Sequence, residues 1–572
     1  MTRPPAKTSA LVVGSGPCGL MLALELGRRG VSTVVVDKKP GTAVNPQANA
    51  TQARTMEYFR RLGLAEEIRA LGLPRDYPTD IAYFTRYAGY ELARFRLPPS
   101  QHASAVARSS SGSWSTPELP HRVSQKFVEQ VLQRHARALP SNSLHYGWQL
   151  RSFSEAADAV TAVIESVDTG EQSTVTADYL IGADGARSTV RNQLGIRYGG
   201  ETGVTRDFFG GKMVAVYFRA PDFYQVIPHS KSWMYWAFNP QRRSWLAAVN
   251  GRDEFAFHTQ LKPEEEGADL GHDRAREFFF QAMGRPLAIE VLAVDTWIAG
   301  HALVAESFGR GRVHIAGDAA HLFTPAGGLG YNTAVEDAMN LGWKLAAAVK
   351  GIAGPGLLPS YAFERRKLGI RNTGYARQFA NEIGNFLPDP ALEREGPEGE
   401  AARKAAGEFL NAYIRREFDI PGITFGTRYD GSPVILSDSA PPPEDAADKY
   451  VPTASPGGRT PHLWLEDGKS LYDALGFDWN LLVMGKGKAA SSVAGAFQTA
   501  AGSFGLELRV VELHLPGARD LYEADLALIR PDQVVAWRGS GEDLDVNALF
   551  RVVTGHETGA AQQTGGLALT FR

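Results

Sequence analysis

"ALVVGSGPCGLMLALELGRRGVSTVVVD", residues 10–37, decides the fold. Ala10 to Val13 is a short apolar run closed by glycine, as a buried strand is. Gly19 to Arg29 carries helix formers up to Gly30, a stop, and Val31 to Val36 is β-branched and apolar up to Asp37. Strand, turn, helix and strand make one compact βαβ unit. Within it Gly14, Gly16 and Gly19 fit GxGxxG. The first glycine permits the tight turn, the second lets backbone approach a pyrophosphate, and the third lets helix pack on strand. The helix N-terminus then faces the anion. Ser15 and Pro17 in the turn and Lys38 beside the acid belong to the same cofactor-binding stretch. Asp37 lies eighteen residues past Gly19, where a carboxylate can hold a ribose 2′-OH and would repel a 2′-phosphate. The motif by itself fits FAD and NAD equally.

Around this unit the chain is long, and 572 residues predict two or three domains. A net charge of −3 with 22% charged residues provides no basic excess, so nucleic acid and anionic membranes are not expected partners. The one cysteine, Cys18, excludes an intrachain disulfide, a cysteine-based metal cluster and a CxxC pair. This suits a reducing cytoplasm, and no metal is expected. Thr8 to Leu24 is uncharged, but Gly14 to Pro17 interrupt it, so strand, turn and helix explain it better than a membrane segment. No other stretch approaches the ~18 apolar residues of a span.

Further along, "SAVARSSSGSWST" (104–116) reads as a loop and "HRVSQKFVEQVLQRHARAL" (121–139) as an amphipathic helix. Residues 211–250 hold alternating, aromatic-rich segments such as "SWMYWAFNP", as a meandering sheet does. "GRVHIAGDAA" is another short buried strand, followed by a glycine-rich loop, a long helix through Val349 and a polar helical region. "SDSAPPPEDAADKYVPTASPGGR" (437–459) has linker composition, and the segments beyond it suggest a small α/β domain.

Two of these segments are specific. "LIGADGARSTVR" (180–191) and "HIAGDAAHLFTPAGGLGYN" (314–332) resemble the Asp-Gly and Gly-Asp motifs of single-component FAD-dependent aromatic hydroxylases, the class A flavoprotein monooxygenases with the p-hydroxybenzoate hydroxylase fold. With GxGxxG they agree in order and spacing over about residues 8–350. The resemblance implies an α/β protein: a Rossmann-like FAD-binding domain, an interleaved β-sheet substrate domain and a C-terminal thioredoxin-like α/β domain. The implied division is FAD-binding domain at 1–76, 120–190 and 296–430 with a helical region, substrate domain at 77–119 and 191–295, linker at 431–449, and thioredoxin-like domain at 450–572. One non-covalent FAD would lie across all three motifs.

The same resemblance assigns roles. Gly317 and Asp318 would sit at the ribityl chain, with Gly327, Gly328 and Gly330 letting backbone N–H groups reach the flavin, and Leu329, Tyr331 and Asn332 entering the helix. Its N-terminus would stabilise negative charge on the reduced ring. Arg54 and Gln125 match contacts to the phosphate and ribose region, and Asp184 and Gly185 sit where the family supports FAD and NADPH. Taken alone, Arg54 could instead pair with Glu57, Gln125 could be a solvated helix residue and Asp318 could cap a helix. Pro325 occupies the position whose carbonyl faces the oxygenated flavin. His321 belongs to the motif and reads as structural.

The implied reaction is reduction of FAD by NADPH or NADH, addition of O₂ at flavin C4a to give the hydroperoxide, and transfer of the distal oxygen to a phenolic or polyketide ring. The rival readings are a related FAD oxidoreductase that transfers no oxygen, and a non-catalytic FAD-dependent scaffold. Trp233, Tyr235, Trp236 and Phe238 are candidates to line the substrate pocket, against the alternative that they are sheet core. "NPQANATQARTME" (45–57) resembles phenol hydroxylases with two departures. Gln47 stands where many relatives carry Arg, which puts nicotinamide docking in question. Asn49 stands near the ring where Asp or His is frequent, and an amide cannot act as a base. The tail has no cysteine, so packing or oligomer contact, in a dimer, is its expected role, and its deletion is expected to leave flavin in the remainder.

Overall fold

The computed structural model describes residues 2–558 other than 47, 204, 205, 207, 268, 269, 439, 485–487 and 543. The quoted stretch forms the strand Lys7–Val13, the helix Pro17–Arg28 and the strand Thr33–Asp37, with Ala10 opposite Thr33 and Val13 opposite Val36 in parallel register. Asn142–Tyr146 extends this sheet on one side, and Gln172–Gly182 and Val313–Ile315 extend it on the other, all parallel. Coverage on both faces explains the unbroken apolar runs 10–13 and 34–36 of the central strands, whereas the outer strand Asn142–Tyr146 is mostly polar. Their carboxyl ends bring Gly14, Ala183 and Ala316 to one edge of the sheet, where open parallel sheets bind ligands. That edge unites segments about 300 residues apart in sequence.

A second, seven-stranded sheet is mixed. Its order is Glu290–Ile298, Lys212–Arg219, Glu254–Gln260, Arg243–Ala248, Met234–Phe238, Ile81–Phe84 and Glu91–Phe95. Aromatic residues fill its core, among them Tyr83, Phe84, Phe223, Phe255 and Phe279. The serine-rich stretch differs from expectation. It contains the helix Ala103–Ser109 and a 3₁₀ turn at Gly112–Trp114, because Trp114 is anchored at both ends: its indole N–H donates to Asp419 at 3.0 Å, and its ring meets Phe425 edge-on.

The C-terminal sheet runs Leu508–Glu512, Trp479–Val483, Leu526–Ile529 and Val535–Gly539, a parallel pair followed by an antiparallel hairpin, as in a thioredoxin-like module. It docks through buried charge. Arg459 pairs with Glu57, which also accepts from Arg54 at 2.7 Å. Arg530 donates to both oxygens of Glu364 at 2.7 and 2.9 Å, and Glu364 also takes Lys344 at 2.6 Å. All of these side chains are within 4% of complete burial. The stretch of linker composition is also partly packed: Tyr450 meets Phe425, and Ala454 joins the core containing Leu482.

Candidate active site

One cavity of about 1360 Å³ runs from the glycine turn to the mixed sheet. This exceeds the ~300–1,000 Å³ of a site for one small molecule, so it has room for a dinucleotide and a second ligand.

At the turn, Gly14, Gly16, Pro17, Asp37, Lys38 and Gln125 form the wall. Gly14 has φ 106°, and a Cβ there would lie 2.1 Å from the Ala183 carbonyl oxygen. A Cβ on Gly16 would meet nothing within 4 Å. The first glycine is therefore demanded by the protein's own packing, and the second leaves space for a ligand. Ser15 is not in the wall: its N–H and O–H donate to Asp37 Oδ2 at 2.7 and 2.8 Å, holding the carboxylate at the turn. Gly19 is likewise behind the wall, where a Cβ would lie 1.9 Å from the Gly14 carbonyl oxygen. Gln125 donates to Glu129 at 2.7 Å.

Midway, Asp184 and Gly185 line the cavity. The Asp184 carboxylate caps the helix Thr189–Gln193, accepting from the Thr189 and Val190 N–H groups and from the Ser188 hydroxyl. Burial raises its carboxyl above the usual range although these bonds oppose the shift.

At the far end, Gly327 and Gly328 adopt left-handed φ of 69° and 62° before the helix Leu329–Val349. Leu329, Gly330 and Tyr331 put its N-terminal turn in the wall, so the positive end of a 21-residue helix faces the cavity. Pro325 is exposed to the same space. The Asp318 carboxylate opens into the cavity and accepts no hydrogen bond from the described residues. Desolvation by its surroundings raises its pKa, Asp337 adds to this, and His321 opposes it.

Three more residues assigned to the cofactor lie behind the wall, and a fourth is engaged within it. Gly317 is behind the wall, its N–H donating to Asp337 and its backbone packed on Cys18. Asn332 accepts from the Gln52 N–H and the Thr55 hydroxyl and donates to the Ala50 and Gly328 carbonyls, so it ties the helix to the chain around residue 50. Arg54 is directed away, to Glu57, Gln533 and the Asp532 carbonyl of the C-terminal module. The Gly327 N–H lines the cavity but is already engaged, donating to Glu417 Oε1 at 2.9 Å.

The sheet end of the cavity is formed by Trp233, Met234, Trp236, Trp245, His258 and Trp297. Tyr235 is not among them, because successive strand residues point to opposite faces. Its hydroxyl accepts from Ser232 N–H at 2.7 Å and its ring packs edge-on against Phe223. Phe238 shares the face of Trp236 but is covered by Tyr83, Phe208 and Phe386. His258 stacks on Trp245 at 3.7 Å, and burial pushes its pKa down to about 3, so the ring is neutral. The indole N–H groups of Trp236 and Trp245 and both His258 nitrogens lack partners among the described residues. Asn49 lines the cavity with its Oδ1 unpartnered. Gln47 lies outside the described residues. His321 is fully buried and bonded to Asp337 at 2.7 Å, a structural contact.

Glu417 and Arg122 escaped the sequence reading, as did Trp245, His258 and Trp297. Glu417, from the helix Gly396–Phe418, lines the cavity with Oε2 unpartnered. Arg122 is 8% exposed, lies 4.3 Å over the ring of Trp233, and has no hydrogen bond or ion pair among the described residues. Burial alone pulls its pKa down to about 10. Its only signal was its place three residues before Gln125.

These features fit FAD: open backbone at Gly16 and Gly185, a free carboxylate at Asp318, and a helix N-terminus at the opposite end. Among the described residues no cluster of His, Cys, Asp and Glu is arranged to hold a metal, and no helix is long and apolar enough to cross a membrane. The FAD binding domain family matches residues 7–374, and the aromatic-ring hydroxylase C-terminal family matches residues 453–556. The FAD-dependent monooxygenase apdD of Emericella nidulans is 31% identical, over 93% of this chain and 87% of that protein. A putative polyketide hydroxylase of Streptomyces coelicolor is 30% identical over 96% of each. The rebeccamycin biosynthetic enzyme RebC, solved with reduced flavin, superposes with a TM-score of 0.85 at 33% identity, covering 96% of this chain and all of that one. The chain belongs to the FAD-binding aromatic-ring hydroxylases and is an FAD-dependent monooxygenase.

Proposed function

We propose that the enzyme hydroxylates a phenolic or polyketide-type ring bound against Trp233, Trp236 and Trp245, with NADPH or NADH as a transient reductant and O₂ as oxidant. The observation that carries this reading is the single cavity joining the glycine turn, the Asp318 loop and the tryptophan chamber. Bound there, FAD supplies the redox chemistry, accepting electrons from the nicotinamide and activating O₂ for transfer to the ring. Gly14, Gly16 and Asp37 would hold its adenosine end, and Asp318, Gly328 and Gly330 its ribityl and ring end. The walls exclude water from the reacting ring. The unpartnered indole N–H groups suit a substrate bearing oxygen acceptors, and Arg122 behind Trp233 favours an ionised ring. Phenols and hydroxylated naphthoquinones should be screened for stimulated NAD(P)H oxidation, followed by ¹⁸O₂ labelling of the product. NAD(P)H consumption with no labelled product from any ring would refute oxygen transfer.

Asp318→Ala should weaken FAD retention about 10- to 100-fold, the loss of ~1.5–3 kcal/mol from hydrogen bonds to a charged group. Equilibrium dialysis of apoprotein with FAD measures it, and wild-type affinity would remove Asp318 from the site.

Asn49→Ala should raise uncoupled peroxide release while FAD stays bound, since a poorly oriented ring meets the oxidant too rarely. Asn49→Asp should shift the pH dependence of hydroxylation, because a titrating group replaces a fixed dipole. Product formed per NAD(P)H between pH 5 and 9 tests both. An unchanged ratio and profile in both variants would place Asn49 outside the reacting region.

A further inference from the structure

An aromatic alcohol with a pKa of ~10 is mostly neutral at neutral pH, and hydroxylation of its ring is fastest from the anion. The Asn49 amide cannot take that proton. Asp37 is already bonded through both oxygens, to Ser15 and to the Lys39 N–H, and His258 binds a proton too weakly. Asp318 stands at the cofactor end.

Resting on the functional reading above, we propose that Glu417 is the general base of the cavity: Gly327 N–H fixes its Oε1, and its Oε2, which has the Tyr413 hydroxyl beside it but accepts no hydrogen bond of good geometry from the described residues, takes the hydroxyl proton of the bound ring. The ring O–H bond breaks, an O–H bond forms at Oε2, and the electron pair stays on the ring oxygen, so no further reactant is needed.

The surroundings suit the task. Glu417 is 2% exposed. The titratable groups facing it are Tyr413 on its own helix, Glu382 on the helix Leu357–Gly384, and Tyr83 on the strand Ile81–Phe84. Among the described residues no cation shifts it. Burial pushes its carboxyl up to about 7, with Gly327 N–H and Tyr413 opposing the shift and Glu382 adding to it. A base with a pKa near working pH is partly free to accept a proton and still strong enough to hold one. Its activity should therefore rise with pH through about 7, where the carboxylate forms, and then level off.

Glu417→Gln separates this role from loop support, because the amide oxygen still accepts from Gly327 N–H but no longer titrates. In FAD-loaded protein, infrared difference spectra should show a protonated-carboxyl band that titrates near pH 7 in the wild type and is missing in the variant. With the phenol that the wild type hydroxylates, kcat should fall about 10²–10⁴-fold, KM should change little and the rising limb should vanish. A variant that keeps the limb or the band overturns the proposal. So does a defect in Glu417→Ala alone with Glu417→Gln normal, which would leave only loop support, and so does a limb that moves instead in His301→Asn, at a residue that lines the same cavity. If the wild type hydroxylates no phenol, the functional reading fails first and this base with it.

Discussion

Truncation after residue 449 is expected to leave no soluble, flavin-bearing protein. It removes Arg459 from Glu57 and Arg530 from Glu364, and both carboxylates are fully buried. Arg530 and Lys344 hold the Glu364 carboxyl far below its ordinary range, and without Arg530 the remaining Lys344 must balance it alone. Breaking one buried pair from one side costs ~3–5 kcal/mol, and two such losses consume most of the ~5–15 kcal/mol that holds a domain folded. The edge-on contact of Trp343 with Trp479 is lost as well. This argues against the tail as a removable appendage. Soluble yield, thermal melting and FAD per chain decide it. A monodisperse yellow truncation with the parent melting temperature would show the buried pairs to be dispensable.

Gly14→Ala should abolish flavin binding by damaging the fold, whereas Gly16→Ala should damage flavin binding alone. Alanine at position 14 must adopt φ near 106° and place its Cβ 2.1 Å from a backbone oxygen of the neighbouring strand. The left-handed conformation alone costs ~1–2 kcal/mol, and the clash forces the central strands apart. At position 16 the methyl has open space, so apoprotein should melt as the wild type does while FAD affinity falls about tenfold or more from obstruction of the pyrophosphate path. Melting of both apoproteins, followed by FAD titration, separates the two effects. Equal apoprotein melting temperatures for the two variants would contradict the packing argument.

What could be read in the sequence was what local spacing controls. The strand, turn and helix around Gly14, Gly16 and Asp37 follow from a few adjacent residues, and the structure differs there by at most three residues at the element ends. Tyr235 and Trp236 were grouped by composition, yet strand geometry sends neighbours to opposite faces, and only Trp236 reaches the cavity. Arg54 illustrates a deeper limit. Its near partner Glu57 is visible in sequence, but Gln533 and Asp532 are about 480 residues away and are brought in by domain docking. Glu417 lies in a helix of ordinary polar composition, and its chemistry arises from burial and from Gly327, ninety residues earlier.

The buried pairs between tail and body have a consequence for chimeras. In each, a buried carboxylate of the body is shared between a body cation and a tail arginine, Glu57 between Arg54 and Arg459 and Glu364 between Lys344 and Arg530. Lys344 also stands on the helix whose first turn faces the ring end of the cavity, sixteen residues or ~24 Å from Gly328. Exchanging tails between homologues will therefore demand simultaneous exchange of Glu57, Lys344 and Glu364, and a mismatched tail will register as altered flavin colour before it registers as altered ring preference.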